Sequence, residues 1–221
     1  MTTTDQTIAE RVEAFHTQVP GLFPADVWEV IVQEQNAHRA SAPGALPAIG
    51  SPMPDANLLD AHGRATTLSA TRAGRTAVIV LYRGAWCPYC NITLRAYQDA
   101  LASELSSRGG VLIALSPQKP DEALSLQEKN ELAFPVLSDP GNQIAVALGV
   151  LTAFGAAAQA AVAGVGIDVA AGNADGTAGI PMPTVVVVDA AGEIRWIDVH
   201  PDYTTRTEPA EILEHLAGLP R

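Results

Sequence analysis

The chain has no excess of basic residues. Thirteen Lys and Arg stand against 24 Asp and Glu, a formal net charge of −11. A nucleic-acid groove or an anionic membrane surface would repel such a chain, so neither partner is expected. The charges are scattered rather than blocked, as on an ordinary solvated surface. The opening residues, MTTTDQTIAERVEAF, lack the basic-then-apolar pattern of a secretory signal. A long hydrophobic run is also missing. The one extended charge-poor stretch, Ala153 to Gly172, is mostly Ala and Gly and is broken by Gln159 and Asp168. A helix and loop on a domain surface suit it better than a membrane span. Cysteine is scarce, two in 221 residues. That excludes a disulfide-stapled secreted scaffold, and a reducing cytoplasm is the expected setting.

What is present suffices for a core. Hydrophobic residues make up 48 % of the chain, and the length suits one domain with additions. Ile8, Val12, Phe15 and Val19 fall on one helical face, and Thr7 to Glu10 fits a capping box. Pro20-Gly21 is expected to stop that helix. A second starts after Asp26, with Val27, Val30, Ile31 and Glu34 at helical spacing. A stretch rich in proline, Pro43 to Pro54, then reads as a linker or a wrapped extended segment. This sets a helical N-terminal extension, residues 1–44, before a main domain, residues 45–221.

The main domain alternates between strands and helices. A short hairpin is expected around His62-Gly63, then buried strands at Thr76–Tyr82 and Val111–Ser116. Between those strands a helix runs from about Pro88 to Ser107. Asp121 is expected to cap a further helix. FPVLSD reads as a short strand before a helix at Gln143–Leu148. TVVVVDAAGEIRWIDV reads as a strand hairpin turning at Ala190 to Gly192, and a last helix starts at Pro209. This order implies an α/β sandwich with a mixed sheet and no internal repeat.

Both cysteines lie in YRGAWCPYC, Cys87 and Cys90, where a buried strand ends and a helix begins. A helix start offers unpaired N–H groups and a positive dipole end, and both favour a thiolate. Cys87 is therefore expected to have a depressed pKa. Pro88 suits the first helical turn, and Cys90 lies on the same face one turn on. A zinc site normally needs four ligands, and the five histidines show no ligand spacing. A structural disulfide across so short a loop removes little chain entropy. Two inert thiols are the remaining bland reading. Redox chemistry fits the context best, with no metal or cofactor required.

Three segments resemble one family. IGSPMPDANLLDAHGRATTLSA resembles its opening hairpin, AVIVLYRGAWCPYCNITLRAYQ its active-site strand and helix, and PMPTVVVVDAAGEIRWIDVHPDYTTRTEPAEIL its closing strands and helix. That family is the alkyl hydroperoxide reductase C / thiol-specific antioxidant group, peroxiredoxin-like proteins of the thioredoxin superfamily. The resemblance covers most of Ile49 to Leu216. It implies a thioredoxin-like three-layer sandwich, a mixed central sheet flanked by helices, preceded here by the helical extension. It implies that Cys87 is the peroxidatic cysteine, becoming a sulfenic acid on a hydroperoxide, and that Cys90 resolves it. The Cys87–Cys90 disulfide would then be reduced by thioredoxin or a similar thiol reductant. It further implies a cis Pro183 lying against the cysteines.

Two departures affect the chemistry. Typical members carry Thr or Ser three residues before the peroxidatic cysteine and a proline four residues earlier still; here those positions are Gly84 and Val80. Typical members have Arg just before the late strand, where this chain has Pro183. Arg83, Trp86, Arg206 and backbone N–H groups of the helix start are the available replacement donors. Arg206 could instead form an ion pair with Glu208 or Asp202. The leading reading is a thiol peroxidase. A thiol–disulfide oxidoreductase of thioredoxin or glutaredoxin type is the second. A redox-sensing module acting through the N-terminal helices is the third. A homodimer is expected, with those two helices available to cap their own domain or swap onto a neighbour.

Overall fold

The computed structural model describes residues 6–19 and 22–219, so the expected helix stop at Pro20-Gly21 lies outside the described residues. Helix α1 (Ile8–His16) starts with the expected capping box: Thr7 Oγ1 accepts from the Glu10 N–H, and Glu10 returns a carboxylate to the Thr7 N–H. Helix α2 (Ala25–Arg39) follows. The proline-rich segment beyond it runs extended and pairs with the later hairpin, through Gly50 N–H to Ile194 O and Met53 N–H to Gly192 O.

Strands β1 (Asn57–Leu59) and β2 (Ala65–Thr67) form the first hairpin, and α3 (Leu68–Arg72) leads to β3 (Ala77–Leu81). The helix expected over 88–107 is present in three pieces. They are α4 (Pro88–Tyr97), a π-helical turn at Gln98–Ala102 and α5 (Ser103–Ser107). Next come β4 (Val111–Ser116) and α6 (Pro120–Lys129). Asp121 is not the cap of α6. Lys119 holds that position without a side-chain bond, because Pro120 takes the first helical place, where its missing N–H costs nothing. The chain continues through β5 (Val136–Ser138), α7 (Gln143–Ala147), β6 (Leu151–Ala153), α8 (Ala156–Gly164) and α9 (Val169–Gly172). It closes with β7 (Gly179–Pro181), β8 (Thr184–Val188), β9 (Ile194–Val199) and α10 (Pro209–Ala217).

Seven strands make one mixed sheet in the order β2-β1-β5-β4-β3-β8-β9, and β6 pairs with β7 in a small second sheet. β3 runs parallel to β4 and antiparallel to β8, so it is an interior strand, next to the middle one. Its side chains are buried on both faces, which is why Ala77–Leu81 reads as an unbroken apolar run. Val78 and Val80 meet the layer holding α1, α4, α6, α8 and α10; Ile79 and Leu81 meet α3 and α7. This is the thioredoxin-like three-layer sandwich. α1 and α2 are part of it: Ile8 and Val12 are buried in the same cluster as α4, with Val30 and Ile31 packed against it. Among the described residues no helix is long and apolar enough to cross a membrane.

Candidate active site

The site forms where the interior strand β3 hands over to α4. The linking loop is held from several sides. The Ala85 N–H donates to Gln118 Oε1 at 2.5 Å, and Asn91 Nδ2 donates to the carbonyls of Ala85 at 2.7 Å and Cys87 at 2.9 Å. Asn130 in turn donates to Asn91 Oδ1. Cys87 is the N-cap residue of α4, with Pro88 in the first turn. Gly84 has φ +154°, a conformation open to glycine, and a Cβ there would lie 2.4 Å from Trp86 Nε1. The Trp86 indole thus fills the space a Thr or Ser side chain would need. The loss of that hydroxyl and the presence of Trp86 are one structural exchange.

Both cysteines are free thiols and each is 1 % exposed. Their surroundings push them in opposite directions, in the reverse of the expected order. Burial pushes Cys87 up, and its S–H points its hydrogen bond at Cys90. Burial would raise Cys90 as well, but the bond from Cys87, the Arg206 guanidinium and the backbone and charge of Arg83 hold it well below the usual thiol range. Cys90, not Cys87, is thus the thiol whose surroundings favour the charged form. The Cys87 side chain takes no cap bond from α4, whereas a guanidinium nitrogen lies 3.4 Å from Cys90 Sγ.

The proposed donors divide between the two sulfurs. Arg206 makes no ion pair with Glu208 or Asp202. Its Nη1 donates to the carbonyls of Tyr203 and Thr205 and its Nη2 to Cys90. Asp202 is bound by Arg39, and Glu208 receives the first N–H groups of α1. Pro183, Thr184, His200 and Arg206 line a cavity of about 10 Å³ beside Cys90, room for one water. Pro183 is thus at the site, on the Cys90 side, but the expected cis bond is absent: the described residues contain no cis peptide. Trans is the ordinary preference of X–Pro bonds, and the Met182 N–H before it donates to Val150 O.

Arg83 and Trp86 lie on the other side, with Cys87. Arg83 is 1 % exposed, and its guanidinium stacks over Tyr203 at 3.8 Å, Phe154 at 4.4 Å and Trp86 at 5.2 Å from the ring centres. A cavity of about 70 Å³ opens beside Cys87. Its inner wall holds Arg83, Trp86, Tyr89, Phe154 and Tyr203; α1, α2 and the segment between them add Phe15, Phe23, Trp28 and Ile31. Tyr89, between the two cysteines, ties both helices to the site: its hydroxyl lies 3.0 Å from His16 Nε2 and accepts from Gln35 Nε2. The sequence reading missed Tyr89, Phe154 and Tyr203. Tyr203 stood inside the noted DYTTRTEP segment, whereas nothing in the Ala-rich surroundings of Phe154 marks it.

Two buried thiols thus stand where an interior strand of a thioredoxin-like sandwich ends. The chain belongs to the AhpC/TSA family, whose pattern matches residues 49–197. It is 34 % identical over 103 residues to a candidate peroxiredoxin, bcp, of Haemophilus influenzae, a match covering 47 % of this chain and 65 % of that one. The chain thus spans under two thirds of the length of the curated relatives it first matches. Among solved structures it is similar to peroxidoxin BcpB from Mycobacterium tuberculosis, with a TM-score of 0.55, 20 % identity, and coverage of 76 % of this chain and 94 % of that one. A peroxiredoxin-like protein from Aquifex aeolicus gives a TM-score of 0.60 at 14 % identity, covering 79 % and 89 %. Helices α1 and α2 lie outside the family-matched residues.

Proposed function

We propose that the protein is a thiol peroxidase reducing hydroperoxides through Cys87 and Cys90. The observation that carries this is the asymmetry of the pair: Cys87 faces the cavity of about 70 Å³, while Cys90 Sγ accepts from the Arg206 guanidinium. Cys90, stabilised as a thiolate by Arg206, takes the Cys87 proton and frees the Cys87 thiolate. That sulfur attacks the terminal peroxide oxygen, the O–O bond breaks, and its electron pair leaves on the second oxygen. The departing oxygen takes up the proton as water or an alcohol, which leaves Cys90 a thiolate again and Cys87 a sulfenic acid. Cys90 then attacks the oxidised sulfur, closing the disulfide and expelling hydroxide. A dithiol of thioredoxin type, as in a reducing cytoplasm, restores both thiols.

The test uses two variants. Cys87→Ser should abolish turnover. Cys90→Ser should still react once with peroxide and leave a sulfenic acid that a dimedone probe captures. Its rate should be at least about 100-fold above that of free cysteine, the lower end of what positioned donors contribute to such a step. If peroxide reacts no faster than with free cysteine while mixed disulfides accumulate with disulfide substrates, the protein is a thiol–disulfide oxidoreductase instead.

A further inference from the structure

The cavity at Cys87 has two unlike linings. One is apolar and comes from outside the family-matched residues: Phe15 on α1, Phe23 just before α2, and Trp28 and Ile31 on α2. The other is a pair of hydrogen-bond donors with nothing to donate to. Arg83 Nη2 and Trp86 Nε1 are buried and lack a hydrogen-bond partner among the described residues. Among the described residues Arg83 makes no ion pair. Glu34, nearby on α2, gives Oε1 to His38 and to the Gly155 N–H. Three aromatic faces offset part of the cost of burying the guanidinium, but they leave its N–H group unmet. An acceptor brought in by a ligand would complete it.

We propose that this cavity is a specificity chamber, selecting hydroperoxides with a hydrocarbon body over hydrogen peroxide. The proposal rests on the peroxidase reading. The O–O group meets Arg83 and Trp86 beside Cys87, and the hydrocarbon part lies against Phe15, Phe23, Trp28 and Ile31. As Cys87 attacks the terminal oxygen, negative charge develops on the departing one, and a fixed guanidinium in an apolar site stabilises that charge more than it stabilises the neutral substrate. Size agrees with this. The chamber, about 70 Å³, is roughly half the apolar cavity of about 150 Å³ known to take up benzene. Hydrogen peroxide would leave most of its wall uncovered. A tertiary alkyl or aryl group would fill it and extend through its mouth.

The experiment measures kcat/KM for cumene hydroperoxide and for hydrogen peroxide. Wild type should favour the cumene compound by about tenfold or more, the order of discrimination apolar pockets give. Ile31→Phe, which fills the chamber, should lower that preference by about tenfold. Arg83→Met should lower kcat/KM for both peroxides by about 100-fold, the loss expected of one transition-state donor. A product alcohol, 2-phenyl-2-propanol, should inhibit hydrogen peroxide turnover competitively and change the tryptophan fluorescence of Trp28 and Trp86. This arm needs only wild type, so it decides the matter if Ile31→Phe fails to fold. A working peroxidase without the preference, or indifferent to both Ile31→Phe and the alcohol, overturns the chamber alone. Wild type that consumes neither peroxide faster than free cysteine overturns the peroxidase reading and the chamber together.

Discussion

At the scale of single residues, the two arginines nearest the cysteines are not interchangeable. Arg206 is committed to the Cys90 sulfur and to two carbonyls, and Arg83 to three aromatic rings. Removing Arg206 should therefore act on Cys90 first. In Arg206→Met the pH profile of alkylation at Cys90 should move to higher pH, because the charge that favours its thiolate is gone. Peptide-resolved alkylation with a small reagent across pH 5–10 reads this shift. An unmoved profile would mean that the bond from Cys87 suffices. The sequence carried the identity of both cysteines and their place at a helix start, since that information is local. It did not carry which sulfur's surroundings favour the charge, because the guanidinium beside Cys90 comes from 116 residues away.

At the scale of elements, α2 links the N-terminal helices to the site through His38 and Glu34. His38 is buried among Phe154, Tyr203 and Glu34. Burial and the nearby Arg83 charge hold it below its ordinary value, with Glu34 opposing. In the unfolded chain it titrates near 6.5. As pH falls through 6.5 toward the folded value, the unfolded chain binds the extra proton and the folded one does not, so stability drops. Above 6.5 the contribution is fully present. His38→Gln should flatten this acid-side decline, read as the difference in urea midpoint between pH 7.5 and pH 5.5. An unchanged difference would place the sensitivity elsewhere. Strands β3, β4 and β8 were legible because each holds a run of four or five apolar residues. β6 and β7 were not: each has three residues, β7 holds a glycine and a proline, and only the return of a long loop pairs them. The aromatic cage escaped for a related reason, since residues 83, 154 and 203 meet only after folding.

At the scale of the molecule, site and core are one construction. Leu94 lies one turn beyond Cys90 on the inner face of α4 and is fully buried against the sheet. Leu94→Ala should cost about 2–5 kcal/mol, as core leucine truncations do. Denaturant unfolding of reduced protein measures it, and a loss under about 1 kcal/mol would mean that α4 settles into the gap.

The depth of the two sulfurs also governs the tempo of any cycle the protein runs. With both cysteines 1 % exposed and Tyr89 bound to α1 and α2, a small oxidant can enter, but a protein-borne thiol cannot reach either sulfur past the helices as they stand. In the proposed cycle, reduction by such a partner requires the two helices to lift. Its observed rate then climbs with reductant concentration only until each lifting is captured, and levels off at the lifting frequency. Beyond that point more reductant gains nothing. Under sustained oxidant the population shifts toward the disulfide form, and its size becomes a measure of how often the roof opens.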